Sequence, residues 1–127
     1  MTARIDEVLD DARVRLQRVT PQEASVAITE RGALLVDTRP GWQRRVEGEV
    51  PGAIRVERNH LEWRLDPTSD ARIPQAVDHD VEIIVMCSAG YASSLAAASL
   101  QELGLHRATD LIGGFVAWRA AGLPVRD

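Results

Sequence analysis

Residues 82–100 read EIIVMCSAGYASSLAAASL, and the order of their parts decides the fold. Val81 to Met86 is an apolar run rich in β-branched residues, the composition of a strand buried on both faces. From Ala92 to Leu103 the residues are mostly Ala, Ser, Leu, Gln and Glu, closed by Gly104, which predicts a helix and its stop. Between them stands the one cysteine of the chain, Cys87, followed by Ser88, Ala89, Gly90, Tyr91, Ala92 and Ser93. A lone cysteine is usually a small core side chain. This one lies where α/β sheets bind ligands, just beyond the carboxyl end of a strand. It also precedes a helix start, whose first N–H groups lack intrahelical partners and favour negative charge. Gly90 permits a positive φ, so the loop can curl its amides toward one point as an anion-binding nest. A sulfur at that point is favoured as thiolate and becomes a nucleophile without a neighbouring histidine.

The flanking sequence repeats the alternation of strand and helix. Ile5, Val8, Leu9, Ala12 and Leu16 recur at helical spacing, with acids early and arginines late, in keeping with the helix dipole. Val19 fits a very short strand. TPQE at 20–23 predicts a capping box with Pro21 at the first helical position, and the helix should stop at Gly32. ALLVDT (33–38) reads as a buried strand, PGWQRRVEGEVPG (40–52) as loop, AIRV (53–56) as a short strand and NHLEWRL (59–65) as a helix capped near Asn59. ATDLI (108–112) makes a last strand, GG a tight turn and FVAWRAAG a final helix. The class is α/β with a largely parallel sheet.

The 127 residues suit one domain, 19–127, with residues 1–18 as a helical extension acting as a lid or an oligomer contact. A net charge of −4 argues against general nucleic-acid binding, and the apolar runs are too short for a membrane span. One cysteine and an N-terminus without an apolar leader point to the cytoplasm. His60, His79 and His106 have no metal-ligand spacing, so no metal or cofactor is expected.

Four stretches resemble the rhodanese, or sulfurtransferase, superfamily. CSAGYAS (87–93) is similar to its active-site loop C-x-x-G-x-R-S, and ALLVDTR (33–39) resembles its strand-plus-acid signature. EGEVPGAI (47–54) resembles GHIPGAI, and LIGGFVAWRAAGLPV (111–125) resembles the closing L-x-GG-x-x-x-W-x-x-x-G-x-P-V. The resemblance covers roughly residues 19–125. It implies a three-layer domain with a five-stranded parallel sheet, and sulfur transfer through a persulfide on Cys87 without a cofactor. The implied donor is a small sulfur-containing anion such as thiosulfate or mercaptopyruvate, or a protein persulfide; the acceptor is cyanide or a thiol. Ala92 stands where the family commonly has arginine, which suits donors other than dianionic thiosulfate, and Glu49 stands at the usual histidine. The alternative is a binding or redox-sensing module in which Cys87 carries sulfur or switches without turnover. Phosphatases of the same fold use a longer loop ending in arginine, which binds oxyanions bidentately, and no arginine or lysine follows Cys87 before the helix.

Ser88 to Ser93 are the expected persulfide-binding residues. Ser93 either donates its hydroxyl or caps the helix, and Tyr91 either donates or shields the mouth. Asp37 and Arg39 form an ion pair or, with Arg58, line the pocket. The tryptophans Trp42, Trp63 and Trp118 are expected in the core or the pocket wall.

Overall fold

Strand β3 (Ile83–Met86) is fully buried, which its β-branched and apolar sequence requires. In this computed structural model, which describes residues 2–127, β3 lies between β1 (Leu34–Asp37) and β4 (Ala108–Asp110), with β2 (Ile54–Arg55) beyond β1. All pairings are parallel, with Val36 opposite Val85 and Val85 opposite Asp110. The expected fifth strand is reduced to Val19, which bridges in parallel to Leu111 at the outer edge of β4. Pro21 opens a helix two residues later, so no longer pairing can develop there.

Side chains alternate across the sheet and build two cores. Val36, Ile83 and Val85 join Leu61, Leu65, Ala97 and Leu100 on one face. Leu35, Ile84 and Met86 join Ala24, Ala27, Phe115 and Trp118 on the other. Helices α4 (Leu61–Leu65) and α5 (Ala92–Glu102) therefore cover the first face, and α2 (Pro21–Arg31) and α6 (Gly114–Ala120) the second. The α2 capping box forms as expected: Thr20 Oγ1 accepts from Glu23 N, and Glu23 Oε1 accepts from Thr20 N. Gly32 ends the helix at φ +71°.

Three local expectations need correction. Gly41–Glu47, expected as loop, is a helix, α3, with Pro40 at its N-cap and Gly48 at its C-cap. Asn59 lies in a 3-10 turn (Arg58–His60) leading into α4 and caps nothing. Trp42 and Trp63 are exposed on α3 and α4, so only Trp118 is core, where its indole N–H donates to Pro124 O. The N-terminal helix α1 (Ile5–Val14) forms as expected: it buries Leu9 and Ala12 against α5, with Leu16 buried just beyond it, and leaves Ile5 and Val8 exposed.

Candidate active site

Cys87 follows the last residue of β3 and is buried. Its Sγ accepts the N–H of Gly90 at 3.2 Å and of Ser93 at 3.4 Å. No side chain caps α5, so the sulfur occupies the role a capping oxygen would fill at this helix start. Gly90 is at φ +88°, and a Cβ there would lie 2.7 Å from Gly113 N. Both backbone conformation and space demand glycine.

Amides can converge on the sulfur only if the neighbouring carbonyls turn away and find donors elsewhere. They do. Phe115 N donates to Cys87 O (2.9 Å) and Val116 N to Ser88 O (3.0 Å), so the start of α6 holds the first part of the loop. Gly114 makes this approach possible, since a Cβ on it would stand 2.6 Å from both carbonyl oxygens. Gly90 O accepts from Arg13 Nη2 (2.7 Å) and Arg18 Nη2 (3.1 Å), both from the N-terminal segment.

A cavity of ≈ 390 Å³ opens over Cys87. Ser88, Ala89, Tyr91 and Ala92 form its loop wall; Thr38, Arg39, Pro40, Gln43 and Arg58 face them. Ala89, Tyr91 and Ala92 are exposed there, whereas Gly90 and Ser93 reach the sulfur through their amides. The serine hydroxyls point elsewhere: Ser88 Oγ donates to Glu47 Oε1 (2.9 Å), and Ser93 Oγ to Asp110 Oδ2 (2.7 Å). The Tyr91 ring lies under the Arg13 guanidinium, 5.7 Å from its centroid.

Asp37 does not line the cavity. Its carboxylate is buried against Arg39, with Oδ2 2.7 Å from Nη2. Arg39 touches the wall, but its side chain is only 1% exposed and also binds Glu47 and Gly48 O while stacking 4.2 Å over the Phe115 ring. Burial works to lower the pKa of this guanidinium, but the hydrogen bonds and charges of Asp37 and Glu47 outweigh it and raise the pKa overall. Glu47 is affected in the opposite direction. Burial would raise it, yet hydrogen bonds from Gln43, Ser88 and Arg39, with the Arg39 charge, hold it below the ordinary carboxylate range. Arg58 is the solvent-exposed arginine of the wall, paired with Glu62 at 2.9 Å. A separate cavity of ≈ 250 Å³, beside Ile28, Leu35, Val50 and Trp118, has no ionisable side chain in its lining and supplies no chemistry.

Sequence reasoning passed over Arg13, Arg18, Asp110 and Glu47. Asp110 had a signal: a carboxylate at the centre of the apolar run ATDLI needs partners if it is buried. Here it is fully buried and bound by Arg18, Ser93 and Ser94. Among the described residues no cluster of His, Cys, Asp and Glu could hold a metal, and no helix is long and apolar enough to cross a membrane.

The model of the rhodanese-like domain matches residues 20–121. The chain belongs to the rhodanese-like domain family. It is 33% identical over 107 residues to thiosulfate sulfurtransferase GlpE of Actinobacillus pleuropneumoniae serotype 5b, covering 84% of this chain and 90% of that one. Such relatives support sulfur transfer as the general chemistry of this rhodanese-like chain. A solved Rhodopseudomonas palustris protein, described as of unknown function and a possible tyrosine phosphatase, is 32% identical with a TM-score of 0.86. That match covers 99% of this chain and 96% of the other, so it takes in α1. Thiosulfate sulfurtransferase from Pseudomonas aeruginosa shares the fold at TM-score 0.74 and 22% identity, over 94% of this chain and 22% of that one.

Proposed function

We propose that the chain transfers sulfane sulfur through a persulfide on Cys87. The observation that carries this reading is the pair of amides on Sγ, with the carbonyls of Cys87, Ser88 and Gly90 held outward by other elements. The Cys87 thiolate attacks the outer sulfur of the donor. A new S–S bond forms, the donor bond breaks, and sulfite leaves with the electron pair when thiosulfate is the donor. Preorganised N–H groups hold the persulfide anion without reorganising. Cyanide or a thiolate then attacks the outer sulfur, the Cys87 S–S bond breaks, and Cys87 departs as thiolate. Neither step needs an external oxidant or reductant. Arg39 is neutralised by Asp37 and Glu47 and Arg58 is paired with Glu62, so the wall offers little net positive charge. This favours mercaptopyruvate or a protein persulfide over dianionic thiosulfate as donor, in a cytoplasmic setting where thiol acceptors abound.

The test is to incubate the protein with each donor, measure intact mass, then add cyanide and assay thiocyanate. A gain of about 32 Da, one sulfur atom, is expected in the parent chain and not in Cys87→Ser. Loading without repeated turnover would support the carrier reading instead, and no loading from any donor would reject both. The Rhodopseudomonas palustris relative motivates an aryl phosphate control. Poor phosphatase activity is expected, because Arg13 and Arg18 bind the outer carbonyl of Gly90 and no loop guanidinium is available to a phosphate.

A further inference from the structure

The loop from Ser88 to Ser93 contains no lysine or arginine, yet two guanidiniums from outside it converge on one of its peptide groups. Arg13 is the more extensively engaged. Its Nη2 donates to Gly90 O (2.7 Å), its Nε to Ser94 Oγ (3.0 Å), and its guanidinium covers the Tyr91 ring. One side chain of α1 thus grips the loop, the residue at its mouth and the first turn of α5. Arg18 supports it from below, binding Gly90 O and holding Asp110 through Nε at 2.8 Å. Asp110 Oδ2 in turn accepts both Ser93 and Ser94 hydroxyls. Two arginines and one aspartate leave a net positive charge against the back of the loop, in a partly buried setting where screening is weak.

We infer that Arg13 is a positioning residue for Cys87: it fixes the Gly90 peptide that donates to the sulfur and supplies, from the N-terminal segment, the cation the loop lacks. The inference deepens the sulfur-transfer reading and makes α1 part of the site. Gly90 carries both ends of the argument, since its N–H meets Sγ and its carbonyl meets Arg13. Losing the guanidinium leaves that carbonyl with Arg18 alone and frees a glycine whose backbone can relax. The amide then leaves the sulfur, and the thiolate loses both a donor and a nearby positive charge.

The experiment compares Arg13→Gln with Arg15→Gln in the full chain. Arg15 sits on the end of the same helix, but its side chain only makes a distant surface pair with Glu102 (3.9 Å), so R15Q removes one charge without touching the loop. The readout is the iodoacetamide alkylation rate of Cys87 across pH, with thermal melting as a folding control. R13Q is expected to alkylate about tenfold more slowly at neutral pH and to recover at high pH, where every thiol ionises. R15Q should follow the parent curve, and Arg13→Lys should fall between. In donor assays R13Q should lower kcat more than it raises KM. Where R13Q fails to fold, Arg13→Met keeps the apolar stem and takes its place. An alkylation profile for R13Q, or for R13M in its place, that coincides with that of R15Q overturns the inference. Alkylation needs no sulfur donor. A chain that never loads sulfur but shows the R13Q effect would thus refute the proposed function and leave the role of Arg13 standing.

Discussion

Two buried carboxylates end two strands of the same sheet and have opposite reach. Asp37 closes β1 and Asp110 closes β4, both 0–1% exposed and both held by arginine. Asp37 takes its arginine from two residues away, and Arg39 goes on to Glu47, Gly48 O and the Phe115 ring. That cluster ties β1 to the end of α3 and the start of α6, and meets the cysteine loop through the Glu47–Ser88 bond and the Phe115 N–H on Cys87 O. Asp110 takes its arginine from 92 residues away, and Arg18 goes on to Gly90 O. Asp110 also anchors the first turn of α5 through Ser93 and Ser94. The same chemistry fastens the fold on one side of the loop and the sulfur's surroundings on the other.

The largest effects should come from breaking each pair. Asp37→Ala leaves the buried Arg39 guanidinium, and Asp110→Ala the partly buried Arg18 guanidinium, without its main partner, and each should destabilise by about 3–5 kcal/mol in denaturant unfolding. At temperatures where both variants remain folded, only Asp110→Ala should also slow Cys87 alkylation. Equal slowing in the two would abolish the distinction. Next comes Gly90→Ala against Gly32→Ala. Both positions have positive φ, and strain alone should cost roughly 1–3 kcal/mol at each. A Cβ at Gly32 meets nothing within 4 Å, whereas at Gly90 it drives into Gly113. Gly90→Ala should therefore lose sulfur loading far out of proportion to its stability, and Gly32→Ala should load normally.

That contrast also marks what the sequence could show. Asp37 and Arg39 stand in one short motif, so their pairing was one of two readings available from the residues alone. Cys87, the Gly90 turn and the capping box were legible because each is a local arrangement with a local cause. Arg13 and Arg18 were not. Their partners lie beyond three strands in the chain, and only strand order brings β4 and the loop beside the end of α1 and the segment that follows it. The loop expected at 40–52 failed for a different reason: the Pro40-Gly41 pair that opens it also opens a seven-residue helix, which Gly48 ends before the Pro51-Gly52 pair is reached. The fifth strand shrank to Val19 because the helix start that was read correctly at Pro21 left it no length.

The link between the β1 cluster and the loop can be sharpened by pH. Glu47 is held below the ordinary carboxylate range: burial opposes this, but the bonds from Gln43, Ser88 and Arg39 prevail. A carboxylate with a depressed folded pKa binds fewer protons in the folded chain than in the unfolded one. Its contribution is fully present above the unfolded pKa and is lost as pH falls through the folded value. Glu47→Gln should thus lower stability by about 1 kcal/mol at neutral pH and by progressively less on acidification. Ser88→Ala should reproduce part of that flattening. A Glu47→Gln unfolding curve parallel to the parent at every pH would mean the carboxylate does not couple the two regions.

The smallest effect is expected at Arg58, the exposed arginine of the cavity wall. Its pair with Glu62 is a surface i,i+4 contact, with 45% of the arginine side chain exposed, so Arg58→Gln should change stability by less than about 0.5 kcal/mol. Its position on the wall still gives it a field that a dianion feels more than a monoanion. KM for thiosulfate should rise about threefold at low salt and converge with the parent at high salt, while KM for mercaptopyruvate moves less and kcat stays put. A fall in kcat for both donors would place Arg58 at the reacting sulfur despite its bond to Glu62. The wall would then carry a working cation of its own, and the positive charge behind Gly90 would no longer be the one that matters most to Cys87.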